Sequence, residues 1–336
     1  MRRALQIARL GYGKTASNPL VGAVVVKNGK IISEGYHKVF GGAHAEVNAL
    51  FHLSEHDCRD AELYVSLEPC NHFGKTPPCT DIILQKKIKH VVVAMRDPNP
   101  LVSGKGIEKL REHGVIVTEG LLEKEAINLN AGFVKWVSSG MPYVILKWAQ
   151  TADGYMGSGS IPDTSSGKIS SRETRILVHR WRSESQAILT GRSTIQADNP
   201  QLNARFWQGD SPVRMVIDPE MKITDEYIIM SDGGPTIILN AHFSGNKNNI
   251  RYLKFEDMNM RSILSKIGAM GISSIITEAG PYTLNHLLKE NLWDEIRMIQ
   301  SSGFLHRGIA APTVKGILSE FQQIGEDRIF TYKNIN

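Results

Sequence analysis

Three residues with soft or borderline donor atoms and one carboxylate constrain what the first part of this chain can build. His44-Ala45-Glu46 is followed by Glu68-Pro69-Cys70 and then, nine residues after Cys70, by Pro78-Cys79. Catalytic zinc keeps three protein ligands and leaves its fourth position to water, whose pKa it lowers towards neutrality. His44, Cys70 and Cys79 supply such a set. A nearby carboxylate that is not a ligand can take the water's proton and pass it to a leaving amine, and Glu46 is the candidate. Residue i+2 on a helix is turned by about 200°, so His44 and Glu46 cannot both face a metal beside their helix. The metal must lie off the helix's N-terminal end. There the dipole favours thiolate over thiol, and Cys79 gains in the same way at the start of its own helix. A structural zinc site would be closed by a fourth protein ligand. His72 is the residue in range for that, but it reads as a pocket or solvent residue.

A length of 336 residues implies two domains. With 41% apolar and 22% charged residues, disordered, collagenous and disulfide-framework classes are excluded. The apolar runs 21–26 and 91–95 are strand-sized, far below the roughly 18 residues that span a bilayer. The first ten residues have no uninterrupted apolar stretch and no cleavage site. A cytoplasmic protein is expected, with Leu5, Ile7 and Ala8 as the buried face of a first helix. Three cysteines without a signal argue against disulfides, and Cys58, beside Glu55-His56-Asp57, reads as an ordinary thiol. A net charge of +5 without a basic block points only weakly to anionic ligands.

Asn28-Gly29 between two β-branched runs predicts a hairpin over 21–36. Helices are expected over 44–53, 80–87, 103–113 and 121–137, alternating with strands over 63–67, 90–94 and 115–118. Ser138-Ser139-Gly140-Met141-Pro142 punctuates the chain, which gives domains of 1–139 and 140–336. The second half alternates again. Strands are expected over 143–149, 187–190, 213–217, 236–239, 274–277 and 295–300, and helices over 173–183, 261–269 and 283–289. The fold class is therefore α/β in both halves. Gly11-Tyr12-Gly13, Gly104-Lys105-Gly106 and Gly157-Ser158-Gly159 are incomplete as dinucleotide fingerprints, so a Rossmann domain is disfavoured.

The His-x-Glu and Pro-Cys elements are those of zinc nucleobase deaminases, whose second cysteine normally comes three residues after the first. Here it comes nine after. That longer run from Ser66 to Cys79, with Asn18-Pro19-Leu20-Val21-Gly22, Gly35-Tyr36-His37 and Asp97-Pro98-Asn99-Pro100, resembles the bifunctional riboflavin-biosynthesis deaminase/reductases over nearly the whole chain. The resemblance implies a cytidine-deaminase-like mixed-sheet domain followed by a dihydrofolate-reductase-like α/β domain, with Zn2+ and NADPH as cofactors. Ammonia would be removed from 2,5-diamino-6-(5-phosphoribosylamino)pyrimidin-4(3H)-one, and the ribosyl group then reduced to ribityl. Asn18 would meet the pyrimidine edge, or serve as a turn residue before proline. His37 would contact substrate or be a satisfied structural histidine.

In the second half, Leu146-Lys147, Thr151-Ala152-Asp153-Gly154, Ala197-Asp198-Asn199-Pro200 and Thr277-Glu278-Ala279-Gly280-Pro281 carry the resemblance. It places Ala152, Thr194, Asp198 and Gly280 on the cofactor side. Ser166, Arg182, Leu202, Arg205 and Glu278 would contact the substrate, the arginines through its 5′-phosphate. The bland alternatives are an exposed helix cation for Arg182 and plain core for Leu202. Lys168 stands where the family commonly has tryptophan, and 300–308 departs from its usual Pro-Lys-Leu-Leu-Gly-like strand end. Relative to that family the chain also begins a few residues late. The expected partners are a small phosphorylated pyrimidine and a second copy of the chain in a homo-oligomer, with no nucleic acid and no membrane. The competing reading is a tRNA nucleoside deaminase with an appended RNA-binding domain. Such an enzyme should carry a basic stripe with aromatic platforms, whereas Lys and Arg are dispersed here and aromatics are 7%.

Overall fold

The structure is a computed structural model that describes residues 1–74, 77–158 and 169–335. The chain divides into two compact units, Met1–Gly140 and Met141–Asn336, each built around its own sheet. Among the described residues no helix is long and apolar enough to cross a membrane.

The first unit holds β1 (Gly22–Lys27), β2 (Lys30–Tyr36), β3 (Glu62–Val65), β4 (His90–Val93) and β5 (Ile116–Glu119) in the order β2-β1-β3-β4-β5. Asn28 and Gly29 both have positive φ, 51° and 71°, as a two-residue type I′ hairpin loop requires. β1 runs antiparallel to β2 and β3, and β3, β4 and β5 run parallel. Ala23, Val25, Leu63, Val65, Val91 and Val93 alternate onto one face and close a core with Ala45, Ala49, Leu50 and Ile83. Cys58 belongs to this core and is fully buried, although its neighbours in sequence are polar. A capping box between Ser54 and Asp57 turns those polar groups outward as a short helix, Glu55–Cys58.

Gly35 sets the depth of the first unit. A Cβ there would lie 2.3 Å from the backbone nitrogen of Ala49 and 2.5 Å from the carbonyl oxygen of Ala45. The helix Ala45–Leu50 therefore rests directly on β2. The helix expected over 121–137 is instead two helices, Glu123–Leu129 and Ala131–Ser139. They break at Asn130, whose buried amide accepts from Leu20 N at 2.7 Å and donates to Leu20 O at 3.1 Å. Pairing with the Leu20 backbone, in the segment before β1, outcompetes helix continuation at that residue.

The second unit holds β6 (Tyr143–Gln150), β7 (Tyr155–Gly157), β8 (Ala187–Gly191), β9 (Val213–Ile217), β10 (Thr236–Asn240), β11 (Gly245–Lys247), β12 (Ile250–Lys254), β13 (Ser274–Thr277), β14 (Glu295–Gln300), β15 (Ile309–Ala310), β16 (Ile317–Ile324) and β17 (Asp327–Lys333). Ten of these form one sheet in the order β11-β12-β10-β9-β8-β13-β6-β14-β17-β16, and β7 pairs with β15 apart from it. From β12 to β14 the strands are parallel. Both faces are covered. Val144, Leu146, Ala187, Leu189 and Ile275 face a core with the helices Met260–Ala269 and Pro281–Lys289. The alternate residues Ile145, Ile188 and Ile276 face Val178 and Trp181 of the helix Arg172–Glu184. The chain passes from β6 to β8 and returns later to insert β13 between them. This is the kind of switch point where open parallel sheets bind ligands beyond the strands' carboxyl ends.

Replacing Gly35 by valine is expected to cost at least about 3 kcal/mol, because backbone atoms rather than flexible side chains fill the space. Urea unfolding of the full chain, with zinc content measured alongside, checks this. Stability and metal content equal to wild type would show that the helix can move away from β2.

Candidate functional site

In the first unit, His44 is the N-cap residue of the helix Ala45–Leu50, and Glu46 lies in its first turn. Cys79 opens the helix Cys79–Gln85, and its backbone N–H donates to Cys70 Sγ at 3.3 Å. His44 Nδ1 lies 3.2 Å from Cys79 Sγ and 3.5 Å from Cys70 Sγ, and the three donor atoms fall within 4.8 Å of one another. Tetrahedral zinc places a nitrogen and a sulfur ligand about 3.6 Å apart. The donor set and its spacing therefore fit zinc. His72 is exposed, and among the described residues no fourth ligand joins the three.

Glu46 is only 3% exposed. Burial, reinforced by the Cys70 charge, pushes its carboxyl up to about 7. The hydrogen bond from Cys79, seconded by His44, holds Cys70 down to about 4, while the same pairing and burial push the Cys79 thiol upward. His37 is buried, and its Nδ1 pairs with Ala43 O at 3.1 Å. That bond leaves Nε2 as acceptor for the Asn18 amide at 3.2 Å. Burial also lowers the His37 pKa, consistent with this neutral tautomer. Its ring meets that of His44 edge-on at 5.5 Å, so Asn18, His37 and His44 form one wall.

Glu68 received no role from the sequence. It is 4% exposed and accepts from the backbone N–H groups of Asp97, Gly104, Gly106 and Ile107 at 2.9–3.4 Å. The carboxylate thus sits at the N-terminus of the helix Lys105–Glu112 and anchors the segment that carries Cys70. The signal was a glutamate beside Pro69-Cys70 in an otherwise apolar strand end.

The second unit has a cleft of roughly 1510 Å³ at the carboxyl ends of β6, β13 and β8. Thr194, Asp198, Gly280, Arg182, Leu202 and Glu278 all line it. Ala152 lies outside this lining, its N–H donating to Gly303 O at 2.8 Å. Arg205 also lies outside it, held to Asn203 Oδ1 at 2.8 Å. Ser166 and Lys168 fall outside the described residues. Leu202 is buried in core with φ of 51°. Gly280 is the N-cap of the nine-residue helix Pro281–Lys289, which no side chain caps, and its N–H bonds Thr194 Oγ1 at 3.1 Å. A helix start without a side-chain cap in a cleft wall suits a dinucleotide's phosphates.

Lys147, also without an assigned role in the sequence, is the one charged residue of β6. Its Nζ lies 3.2 Å from Glu278 Oε2. Arg182 grips Glu278 with two bonds of 2.7 and 2.9 Å and donates to Asn203 O at 3.0 Å. Burial opposes ionisation of Glu278, yet the Arg182 and Lys147 charges hold it down to about 2. Asp153 accepts from the Thr151 hydroxyl and from the N–H groups of Leu305 and His306. It thereby fixes the loop after β14 to the turn after β6.

Sheet, cleft and donor triad together define a zinc deaminase joined to a nucleotide-dependent reductase, and comparison with known proteins agrees. Residues 142–319 match the RibD C-terminal domain, and residues 1–95 match the cytidine and deoxycytidylate deaminase zinc-binding region. The Aquifex aeolicus riboflavin biosynthesis protein RibD is 38% identical over 99% of this chain and 97% of its own. The Acinetobacter baumannii RibD structure superposes with a TM-score of 0.90 at 31% identity, covering 100% of this chain and 98% of that one. The Thermotoga maritima diaminohydroxyphosphoribosylaminopyrimidine deaminase/5-amino-6-(5-phosphoribosylamino)uracil reductase gives 0.88 at 32%, covering 99% and 97%. The chain belongs to the RibD family of riboflavin biosynthesis. It is a bifunctional enzyme that deaminates the diaminopyrimidine phosphate and reduces its ribosyl group, with zinc and NADPH as cofactors. The tRNA-deaminase alternative is not favoured, because a reductase domain stands where an RNA-binding domain would be needed.

A carboxylate whose folded pKa is depressed stabilises above its unfolded pKa and loses that contribution as pH falls through the folded value. For Glu278 the window runs from about 4.5 down to about 2. Glu278→Gln, which strands two cations, is expected to cost about 3 kcal/mol at pH 7. The deficit should shrink as pH drops from 5 to 2 in urea melts followed by tryptophan fluorescence. A pH-independent deficit would refute the electrostatic account.

Proposed function

We propose that residues 1–139 carry the deamination and residues 140–336 the reduction, each with its own catalytic set. His44, Cys70 and Cys79 hold the zinc, which when bound supplies a Lewis acid that lowers the pKa of water. Glu46 is the proton carrier. Its carboxyl oxygen takes a proton and delivers it to the departing amine, a task for which its burial two residues from the His44 ligand positions it. Asn18 orients the pyrimidine, its amide held by His37. The observation that carries this reading is the closeness of the three donor atoms, with a buried glutamate two residues from the histidine.

In the second unit Thr194, Asp198, Gly280 and Ala152 bind NADPH, which when bound supplies the hydride. Ser166, Arg182, Leu202, Arg205 and Glu278 bind and orient the substrate. Arg182 and Lys147 keep Glu278 ionised, so it accepts hydrogen bonds from sugar hydroxyls. The enzyme acts on free small molecules in the cytoplasm and not on nucleic acid, in keeping with its dispersed basic residues.

Glu46→Gln keeps shape and loses proton transfer. Deamination is expected to fall 10²- to 10⁴-fold, with zinc retained and reduction of deaminated substrate unchanged. Cys79→Ser should instead lose zinc. Glu46→Gln activity within tenfold of wild type, or both activities falling together, would overturn the assignment.

The chain works as a homo-oligomer in the same reading. The supporting feature is β16, an edge strand with Ile317, Leu318 and Phe321 exposed. Sedimentation velocity of wild type and Phe321→Glu is expected to show an oligomer weakened by the charge. A monomeric wild type at micromolar concentration would refute it.

A further inference from the structure

The helix Arg172–Glu184 carries Arg175, His179 and Arg182. At four and seven residues from Arg175 the turns are about 40° and 340°, so the three share one stripe. Arg175 and Arg182 both line the cleft, but they differ in what holds them. Arg182 is spent on Glu278 and Asn203. Arg175 Nε is buried without a hydrogen-bond partner among the described residues, and no ion pair there includes its guanidinium. A buried, unsatisfied N–H on a charged group is costly, and a persisting one marks a place where something else completes the bond.

Other cations act on the same stripe. Burial, together with the Arg182 and Arg205 charges, holds His179 down to about 4. Arg205 is itself lowered by burial and by the charges of Arg182 and Arg175. The carboxylates that line the same cleft near Ser171 are engaged elsewhere. Asp327 accepts from Ser171 N and Glu326 from the Ser302 hydroxyl. Glu173 is on the exposed side of the first helical turn. A guanidinium fork recognises a planar or tetrahedral oxyanion with two parallel bonds. An oxyanion bound in the cleft supplies the acceptor that the described residues do not.

We propose that Arg175 is the phosphate-monoester anchor of this cleft. It acts by binding and positioning, and it takes no part in the chemical step. The proposal rests on reading the cleft as the reductase site. Two phosphate monoesters enter that reaction, the sugar 5′-phosphate and the 2′-phosphate of NADPH, and the anchor's chemistry is the same for either.

The test uses the zinc-loaded full chain. In Arg175→Gln, the KM for deaminated substrate or for NADPH is expected to rise at least tenfold with kcat within threefold. Arg175→Lys, which keeps the charge but not the fork, should give a smaller rise. Inorganic phosphate should inhibit wild-type reduction, and its inhibition constant should rise in Arg175→Gln by a similar factor. A rise in substrate KM identifies the sugar phosphate. A rise for NADPH but not for NADH identifies the 2′-phosphate. Either supports the proposal. Unchanged KM values and phosphate inhibition in Arg175→Gln overturn it. Should that variant fail to fold, unchanged values in Arg175→Lys, or wild-type reduction indifferent to phosphate, overturn it equally. Glu278→Gln, assayed at a temperature where its urea melt shows it folded, separates the two failures. If it still reduces substrate, the cleft is not the reductase site; if it is inactive while Arg175→Gln is normal, only the anchor is wrong.

Discussion

A single buried carboxylate organises the deaminase half. Glu68 makes no ion pair among the described residues, and four backbone N–H groups from two separate segments take the place of one. That arrangement joins the end of β3, the Asp97 turn and the start of the helix Lys105–Glu112 before any ligand is considered. Gly106 makes it possible, since a Cβ there would collide with Pro69 O at 1.9 Å. Cys70 inherits its position from this junction, and Cys79 is then placed by its own N–H on Cys70 Sγ. The Gly35 contact performs the matching task for His44 and Glu46 from the opposite side. Two close backbone approaches thus precede the donor triad.

The second half solves a different electrostatic problem. Glu278 stays ionised away from water because Arg182 engages both its oxygens and Lys147 adds a third donor. Buried ion pairs are weak sources of net stability, yet breaking one leaves an expensive charge behind. The triad is therefore better understood as orientation. It joins the helix Arg172–Glu184, β6 and the end of β13 at the floor of the cleft. Gly280 and Thr194 then shape the wall where the chain re-enters the sheet.

Much of this was legible in residue order. β-Branched and apolar runs set off by turn residues located β1, β2, β8, β9 and β13, and the spacing of His44, Cys70 and Cys79 located the donor triad. What stayed hidden depends on partners distant in sequence. Asn130 interrupts an otherwise helical pattern only because Leu20 comes to it. β16 escapes notice because its pattern is Glu-Phe-Gln-Gln on an exposed edge, without a buried face to impose alternation. Cys58 sits in a polar string whose neighbours all turn outward. Glu68, Lys147 and Arg175 are single charges beside apolar runs, and only tertiary structure separates them from ordinary surface residues.

The staple at Asp153 bears on how such a cleft can change over evolutionary time. Its acceptors engage the backbone amides of Leu305 and His306, while Ala152 and Gly303 meet main chain to main chain. None of these bonds reads a side chain in the loop that follows β14. Selection can therefore rewrite residues 301 to 306 while the path of the loop persists, so long as Asp153 is kept. A wall held in this sequence-blind way is where this chain can depart furthest from its relatives without losing the cleft's shape.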